Sequence, residues 1–236
     1  PDAAARQAGG RVRAQLDGTV VAVIRDRTPF GVTPVALCGK MPVMELKLLG
    51  PGFAAEVRGV GLAEVAERDD VYAAVRAAFE EYSVLLFRDQ PVSDELQVAY
   101  SKRFGPLEIA KVASLGAGTY FSILTNIDRA TGRLVPPDHK EALRARANQL
   151  WHTDSSYKET PALASVLSAR VVSPVGGETE FASMRLAWER LPEATRAAMG
   201  GCSRAPLSAS GRWPSSPARL RRPARARAGS CALLRE

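Results

Sequence analysis

The chain has 236 residues, 46% of them apolar, and a formal net charge of +7. This length suits one domain, with or without further segments at its ends, and no apolar run approaches the ~20 residues of a bilayer-spanning helix. The start lacks the basic-then-apolar pattern of a signal peptide, and Cys38, Cys202 and Cys231 are too scattered for a disulfide framework or a zinc site, so we expect a cytoplasmic protein without a membrane segment.

Residues 1–43 give no clear structural pattern. Residues 20–24 are apolar and suit a buried strand, but Arg, Gly and Pro surround them and no partner is evident. We interpret 1–43 as an extension of uncertain structure. Residues 44–50 and 54–60 are predicted as two strands joined at a Gly-Pro-Gly turn, and we expect the ordered domain to begin at residue 44.

Two amphipathic helices are predicted on either side of a short buried strand. Apolar residues recur at helical spacing over residues 70–82, and acidic residues at the start suit the positive end of the helix dipole. Residues 84–87 form a compact apolar run, which is typical of a buried strand. Ser93 is the predicted N-cap of the second helix. The predicted core face of this helix consists of Leu96, Ala99, Tyr100 and Phe104.

The following part of the chain alternates strands with polar segments. Further strands are predicted at 120–124, 163–172 and 178–181. Residues 125–147 are polar and contain Gly and Pro, so we predict a long loop with a functional role or high mobility. Thr179 and Phe181 share one face of their strand because side chains alternate along it. Ser183 caps a short helix and Leu191-Pro192 opens another.

The last 37 residues, 200–236, differ in composition from the rest. They contain eight arginines, no lysine and one acidic residue, and 29 of them are Ala, Arg, Pro, Ser or Gly. Such a composition predicts disorder, because little apolar surface is available for burial. Eight arginines could neutralise phosphates, but Trp213 is the segment's single aromatic residue, and residues 1–199 hold 24 basic and 24 acidic residues. We therefore expect no nucleic-acid partner.

His152 and Asp154 are two residues apart, beside Trp151. In a strand, residues i and i+2 point to the same side, so the two could reach one metal ion. An imidazole and a carboxylate are two of the three ligands in the 2-His-1-carboxylate sites of non-haem Fe(II) oxygenases. Taken alone, a His-x-Asp triplet is more often a surface histidine beside a solvated aspartate.

Four motifs in order carry a resemblance to a known family. They are Phe87-Arg88-Asp89-Gln90, Phe104-Gly105-Pro106-Leu107-Glu108, Trp151-His152-Thr153-Asp154-Ser155-Ser156-Tyr157 and Gly176-Gly177-Glu178-Thr179-Glu180-Phe181. Over residues 44–199 the chain resembles the taurine and 2,4-dichlorophenoxyacetate dioxygenase family. The sequence around His152 is closer to the dichlorophenoxyacetate branch. The resemblance implies a mixed α and β, β-rich fold: a double-stranded β-helix of the jelly-roll type with flanking helices, incomplete at the C-terminal end.

The resemblance also implies cofactors and residue roles. Enzymes of the family use Fe(II), 2-oxoglutarate and O2. His152 and Asp154 match the first two iron ligands, and Thr179 matches the threonine that hydrogen-bonds the 2-oxoglutarate carboxylate remote from the metal; the alternative for Thr179 is an ordinary strand residue. Asn148 matches a position near the substrate. Lys111 could pair with a substrate carboxylate, although a solvated surface lysine explains it equally well.

The implied reaction is hydroxylation of a small carboxylate-bearing substrate at a carbon beside an ether oxygen. The hemiacetal then collapses to a phenol and glyoxylate. The alternative substrate is a sulfonate such as taurine, split to an aldehyde and sulfite. The implied partner is a small anionic organic molecule, and neither a nucleic acid nor a membrane is expected as a partner. Assembly into a homo-oligomer is compatible with the resemblance.

The chain departs from the family pattern after Asp154. The family's third iron ligand is a downstream histidine, followed by an arginine that pairs with 2-oxoglutarate, but the only histidines here are His139 and His152. The Arg-rich composition from residue 200 is what a shifted reading frame in a GC-rich gene would give. We therefore expect a truncated or frame-shifted family member, and a catalytically incomplete fragment is the alternative to an active enzyme.

Overall fold

The computed structural model describes residues 11–14, 20–25, 44–110, 116–148, 150–154, 161–171, 177–199 and 231–235. For 11–14, 20–25, 144, 147, 148 and 231–235, the backbone alone is described. Within these ranges, no helix combines the length and the apolar character needed to cross a membrane.

Strands and helices are interspersed along the chain. The strands are β1 (Arg11–Ala14), β2 (Val20–Arg25), β3 (Glu45–Gly50), β4 (Phe53–Arg58), β5 (Val84–Phe87), β6 (Phe121–Ile123), β7 (Ala164–Ala169), β8 (Thr179–Ala182) and β9 (Cys231–Arg235). The helices are α1 (Leu62–Glu67), α2 (Asp69–Tyr82), α3 (Asp94–Lys102), α4 (Lys140–Asn148), α5 (Met184–Glu189) and α6 (Glu193–Met199). The mixed α and β fold is confirmed, although helices and strands contribute comparable lengths and the described part is not dominated by strands.

Seven strands form the main sheet in the order β3-β4-β5-β2-β7-β9-β6. The hairpin β3-β4 is antiparallel, and β4 pairs in parallel with β5 after a crossover through α1 and α2. The strand β2 is antiparallel to both of its neighbours, β5 and β7. A second sheet contains β1 and β8, again antiparallel.

Two apolar clusters cover opposite faces of the main sheet. In β5, Leu85 and Phe87 belong to one cluster, while Val84 and Leu86 belong to the other. Because side chains alternate along a strand, a strand buried on both sides needs a continuous apolar run, which is why 84–87 has no polar residue. Fully burying a side chain such as Phe87 contributes about 1.5–3 kcal/mol.

The helices α2 and α3 pack on the first of these faces. Val71, Val75 and Phe79 are buried at helical spacing on α2, and the Phe79 ring meets Phe104 edge to face with centroids 5.5 Å apart. The helix α2 ends at Ser83, which adopts a left-handed conformation and donates its N–H to the Phe79 carbonyl. These contacts confirm the predicted amphipathic helix and fix it against the sheet.

The predicted core face of α3 is partly wrong. Ser93 caps the helix as predicted, because its hydroxyl accepts the Leu96 N–H at 3.1 Å, and Tyr100 is fully buried. Ala99, however, is exposed, and Gln97 is fully buried in its place. An amide can occupy this position because its hydrogen bonds are satisfied internally.

Three segments differ from the interpretation of their sequence. Part of the predicted loop at 125–147 is the helix α4. The strand β2, which lies in the segment of uncertain structure, has two partners in the main sheet. In the Arg-rich tail, β9 pairs with β6 and β7; the rest of 200–236 lies outside the described residues, so its disorder stays a prediction.

Candidate metal centre

His152 and Asp154 lie in the segment between α4 and β7. The segment 151–153 has no regular secondary structure, so the strand alternation used to pair His152 with Asp154 does not apply here. This segment nevertheless brings the two side chains together, with His152 Nε2 3.5 Å from Asp154 Oδ1. The pairing expected from the sequence therefore forms without sheet hydrogen bonds.

The His152 ring is held through its other nitrogen. Nδ1 lies 2.7 Å from the Leu150 carbonyl oxygen, which can only accept a hydrogen bond, so Nδ1 carries the proton in this contact. In the neutral ring, Nε2 then keeps its lone pair for a metal ion. The side chain is 50% exposed, which leaves a ligand access to that nitrogen.

The Asp154 carboxylate is held through one of its two oxygens. Oδ2 accepts a 2.7 Å hydrogen bond from the hydroxyl of Ser165, a fully buried residue of β7. Oδ1 faces His152, and the Asp154 side chain is 25% exposed. The sequence interpretation did not identify Ser165; its signal is a serine within a strand that is otherwise largely apolar and fully buried.

The two donor atoms, His152 Nε2 and Asp154 Oδ1, fit a divalent metal ion. Two ligand atoms that each lie about 2.1 Å from an ion, at about 90°, are separated by about 3 Å, and the observed separation is 3.5 Å. A nitrogen and a carboxylate oxygen are suitable donors for Fe(II). Within the described ranges, no group of three or more His, Cys, Asp or Glu side chains could hold a metal, so His152 and Asp154 form a pair of candidate ligands.

The other histidine lies elsewhere. His139 Nδ1 accepts the Glu141 N–H at 3.3 Å, at the start of α4. Backbone hydrogen bonds from Thr131 and Ala130 lower the pKa of the nearby Asp128 carboxyl. His139 is therefore part of a local cap and turn structure.

The remaining predicted site residues are only partly described. Thr179 is the half-buried first residue of β8. Asn148 ends α4, where the backbone alone is described, and Lys111 lies outside the described residues. Phe181, on the same side of β8 as Thr179 by strand alternation, packs in the cluster that contains Leu167 of β7. The small sheet therefore covers the face of β7 that carries Ser165.

A second polar cluster lies at the carboxyl ends of β4 and β5, around a cleft of about 420 Å³. Glu56 Oε1 accepts a 2.7 Å hydrogen bond from Arg58, and its Oε2 accepts a longer one, at 3.4 Å, from Arg88. Burial raises the pKa of the Glu56 carboxyl, but the bonds and charges of Arg58 and Arg88 outweigh burial and hold the pKa below its ordinary value. Both carboxylate oxygens are engaged by arginine.

A sequence profile of the family described as "Taurine catabolism dioxygenase TauD, TfdA family" matches residues 45–230. The match begins within one residue of the predicted domain start and continues beyond residue 199, where the motif resemblance ends.

Individual relatives show the same similarity. The chain is 38% identical over 157 residues to an alpha-ketoglutarate-dependent 2,4-dichlorophenoxyacetate dioxygenase of Cupriavidus pinatubonensis, covering 65% of this chain and 54% of that one. It is 37% identical over 159 residues to an (S)-phenoxypropionate/alpha-ketoglutarate-dioxygenase of Sphingobium herbicidovorans, covering 66% and 50%. The crystal structure of AAD-2 in complex with Mn(II) and N-oxalylglycine aligns with a TM-score of 0.55 at 31% identity, covering 67% of this chain and 53% of that one. The chain thus spans about half the length of the relatives it matches.

Proposed function

The chain belongs to the taurine catabolism dioxygenase TauD, TfdA family, and from this premise we propose that it carries the site of an Fe(II)- and 2-oxoglutarate-dependent dioxygenase. The observation that carries the proposal is the pair of donor atoms, His152 Nε2 and Asp154 Oδ1, at 3.5 Å. His152 and Asp154 would hold the iron. When bound, the iron supplies O2 activation coupled to oxidative decarboxylation of 2-oxoglutarate.

The protein's own contribution is to orient the two ligands. The Leu150 carbonyl holds the His152 ring in the tautomer that presents Nε2, and the Ser165 hydroxyl occupies one oxygen of Asp154. Hydrogen bonds behind metal ligands fix their orientation and increase their affinity. Both ligands therefore have their metal-binding atom selected before any ion arrives.

Thr179 is the proposed partner of the cosubstrate. Its hydroxyl can donate a hydrogen bond to a carboxylate, and β8 lies over the face of β7 that carries Ser165, the partner of Asp154. N-oxalylglycine, the compound bound in the AAD-2 structure, differs from 2-oxoglutarate by an NH in place of one methylene. We extend the same reasoning to the fold and infer a double-stranded β-helix, supported by the packing of the small sheet over the main one.

The proposed substrate is a small carboxylate-bearing phenoxy compound, hydroxylated beside its ether oxygen and then cleaved. The names of the two similar dioxygenases, which refer to dichlorophenoxyacetate and phenoxypropionate, support this class. A sulfonate such as taurine is the alternative. Asn148 and Lys111 remain proposed substrate contacts, and the cytoplasm remains the proposed location.

A second candidate is a catalytically incomplete member of the family. It is favoured by one observation: the sequence contains two histidines, and His139 serves the start of α4 while His152 is at the site. Two protein ligands leave more positions to solvent than three, and an ion held by two side chains is bound less firmly. We therefore expect the 236-residue chain to bind Fe(II) weakly and to consume little 2-oxoglutarate.

The experiment is succinate formation with Fe(II), ascorbate, 2-oxoglutarate and a phenoxyacetate. Three proteins are compared: this chain, a longer form with a downstream histidine and arginine, and His152→Ala in that longer form. We expect low, high and lost activity respectively. Strong activity of this chain would refute the second candidate, whereas an active His152→Ala variant would refute the proposed site. Taurine in place of the phenoxyacetate tests the alternative substrate through sulfite release.

A further inference from the structure

We propose that Ser165 is a positioning residue that determines which oxygen of Asp154 is presented to the metal ion. The proposal rests on the proposed function, because it assumes that Asp154 is a ligand. The hydroxyl of Ser165 donates to Oδ2 at 2.7 Å, and the other oxygen, Oδ1, lies 3.5 Å from His152 Nε2. The serine thereby leaves one carboxylate oxygen for the metal.

Ser165 reaches Asp154 from a defined face of β7. Ala164 and Val166 belong to the cluster under α2 and α3, whereas Leu167 and Ala169 belong to the opposite cluster. Because side chains alternate, Ser165 shares the face of Leu167, on which the small sheet packs. A serine at 164 or 166 would point toward the helices instead.

The backbone around Ser165 is paired on both sides. Ser165 lies opposite Ile24 of β2 and opposite Ala232 of β9. Behind the strand, the Gln97 side chain of α3 donates to the Val166 carbonyl at 3.2 Å. A strand held by two neighbours and a buried amide has little freedom to move its side chains relative to the sheet.

The end of β7 is attached to the start of α3. Arg170 donates to the Val92 carbonyl and, through one nitrogen, to Asp94 at 3.2 Å and Gln97 at 3.1 Å. Gln97 thus receives a hydrogen bond from Arg170 and gives one to Val166. The rigid element in this arrangement is the α3–β7 pair, and Ser165 transmits its position to the loop that carries Asp154.

The expected consequence concerns the carboxylate torsion. The terminal torsion of aspartate is broad and roughly two-fold, so without Ser165 the carboxylate could rotate and present both oxygens. A serine that only stabilised the fold would affect unfolding without changing how the ion is coordinated. Metal binding and coordination spectra therefore separate the two roles.

The experiment is a titration of the full chain with Co(II), followed by its visible d–d absorption. Ser165→Ala is expected to weaken Co(II) binding by about 10- to 100-fold, the range for partners behind metal ligands, and to change the shape of the absorption band. Ser168→Ala is the matched control, because Ser168 is equally buried on the same strand but lies on the opposite face, and its hydroxyl has no hydrogen-bond partner in the described part of the chain. Its affinity should stay within about twofold of the unsubstituted chain.

A double-mutant comparison tests whether the effect passes through Asp154. In the Asp154→Ala background, Ser165→Ala should change Co(II) affinity by less than about twofold, because coupled residues are not additive. If Ser165→Ala does not fold, Ser165→Thr and Ser165→Val replace it: they match in shape and differ in the hydroxyl, and the Thr variant should bind Co(II) at least about tenfold more tightly. Equal affinity of this pair, or an unchanged Ser165→Ala, overturns the proposal.

The same titration distinguishes failure of the premise. If His152→Ala binds Co(II) as tightly as the unsubstituted chain, the proposed metal site is refuted, and the proposed role of Ser165 is refuted as well. If His152→Ala weakens binding and Ser165→Ala does not, the metal site stands and the positioning role alone is refuted.

Discussion

The carboxylates of Glu56 and Asp154 are bound in different ways. Glu56 is almost fully buried, and arginines engage both of its oxygens. Asp154 is a quarter exposed, with one oxygen held by a neutral hydroxyl and the other facing an imidazole. Two guanidinium groups beside a carboxylate neutralise its charge and repel a cation, while a neutral hydroxyl at one oxygen leaves the carboxylate charge in place. The difference teaches that the hydrogen-bond partners of a carboxylate, more than the presence of acidic residues, distinguish a structural cluster from a candidate ligand site.

Removing each carboxylate in turn is the strongest test of this contrast. Asp154→Ala should lower Co(II) affinity at least about 100-fold, because a direct ligand contributes more than a partner behind it. Glu56→Gln should leave the affinity within about twofold. Isothermal titration calorimetry measures both. Comparable losses in the two variants would show that the Glu56 cluster also supports metal binding.

Glu56→Gln, which should hardly change Co(II) affinity, should lower the stability of the fold. Glu56→Gln removes the negative charge beside Arg58 and Arg88 and replaces one of the two acceptor oxygens with an NH2 donor, so the free energy of unfolding should fall by about 1–3 kcal/mol. Urea unfolding followed by circular dichroism gives this value. Arg58 is 45% exposed, so solvent compensates part of the loss and Arg58→Gln should have the smaller effect. An unchanged midpoint for Glu56→Gln would contradict the structural assignment.

The contribution of Glu56 should also depend on pH. Its folded-state pKa lies below the ordinary value of 4.5, so its stabilisation is complete above that value and is lost as the pH falls through the folded-state pKa. The difference in unfolding free energy between the unsubstituted chain and Glu56→Gln should therefore be constant from about pH 7 to pH 6 and shrink below about pH 4.5. Urea unfolding midpoints of both proteins across this pH range measure the difference. A difference that grows on acidification would contradict a lowered pKa of Glu56 in the folded state.

The smallest effect is expected at the helix that supports β7. Ser93→Ala removes the hydroxyl that accepts the Leu96 N–H at the start of α3 and should lower the unfolding free energy by about 1 kcal/mol. Ser93→Asp keeps an acceptor there and should retain most of the stability. Co(II) affinity should be unaffected in both variants. A change in affinity would mean that fraying of α3 reaches Ser165.

The sequence predicted the elements whose pattern is local. The helical spacing of Val71, Val75 and Phe79 was sufficient for α2, and the unbroken run at 84–87 was sufficient for β5. The helix α4 was missed because its residues are mostly polar and its segment contains Pro and Gly, which resemble a loop. The partners of β2 could not be inferred, since pairing between distant strands leaves no local signal.

The sequence indicated the candidate ligand residues but not the residues that hold them in place. His152 and Asp154 were identified by spacing and resemblance, although the strand that was to bring them together is a loop. Ser165 lies 11 positions beyond Asp154, and Gln97 carries no sequence signal of burial because amides usually face solvent. Hydrogen bonds between separate elements depend on the assembled fold, so sequence periodicity does not reveal them.

The central position of β2 bears on the order of folding. Val21 lies opposite Phe87 and Val20 lies opposite Ala169. One edge of β2 can therefore pair as soon as β5 is made, whereas the other waits for β7, whose Ala169 lies 149 positions after Val20. Such distant pairings slow folding, and an unpaired strand edge is a site for association with other chains. During synthesis, the edge of β2 that pairs with β7 therefore stays open to association with other chains until β7 appears.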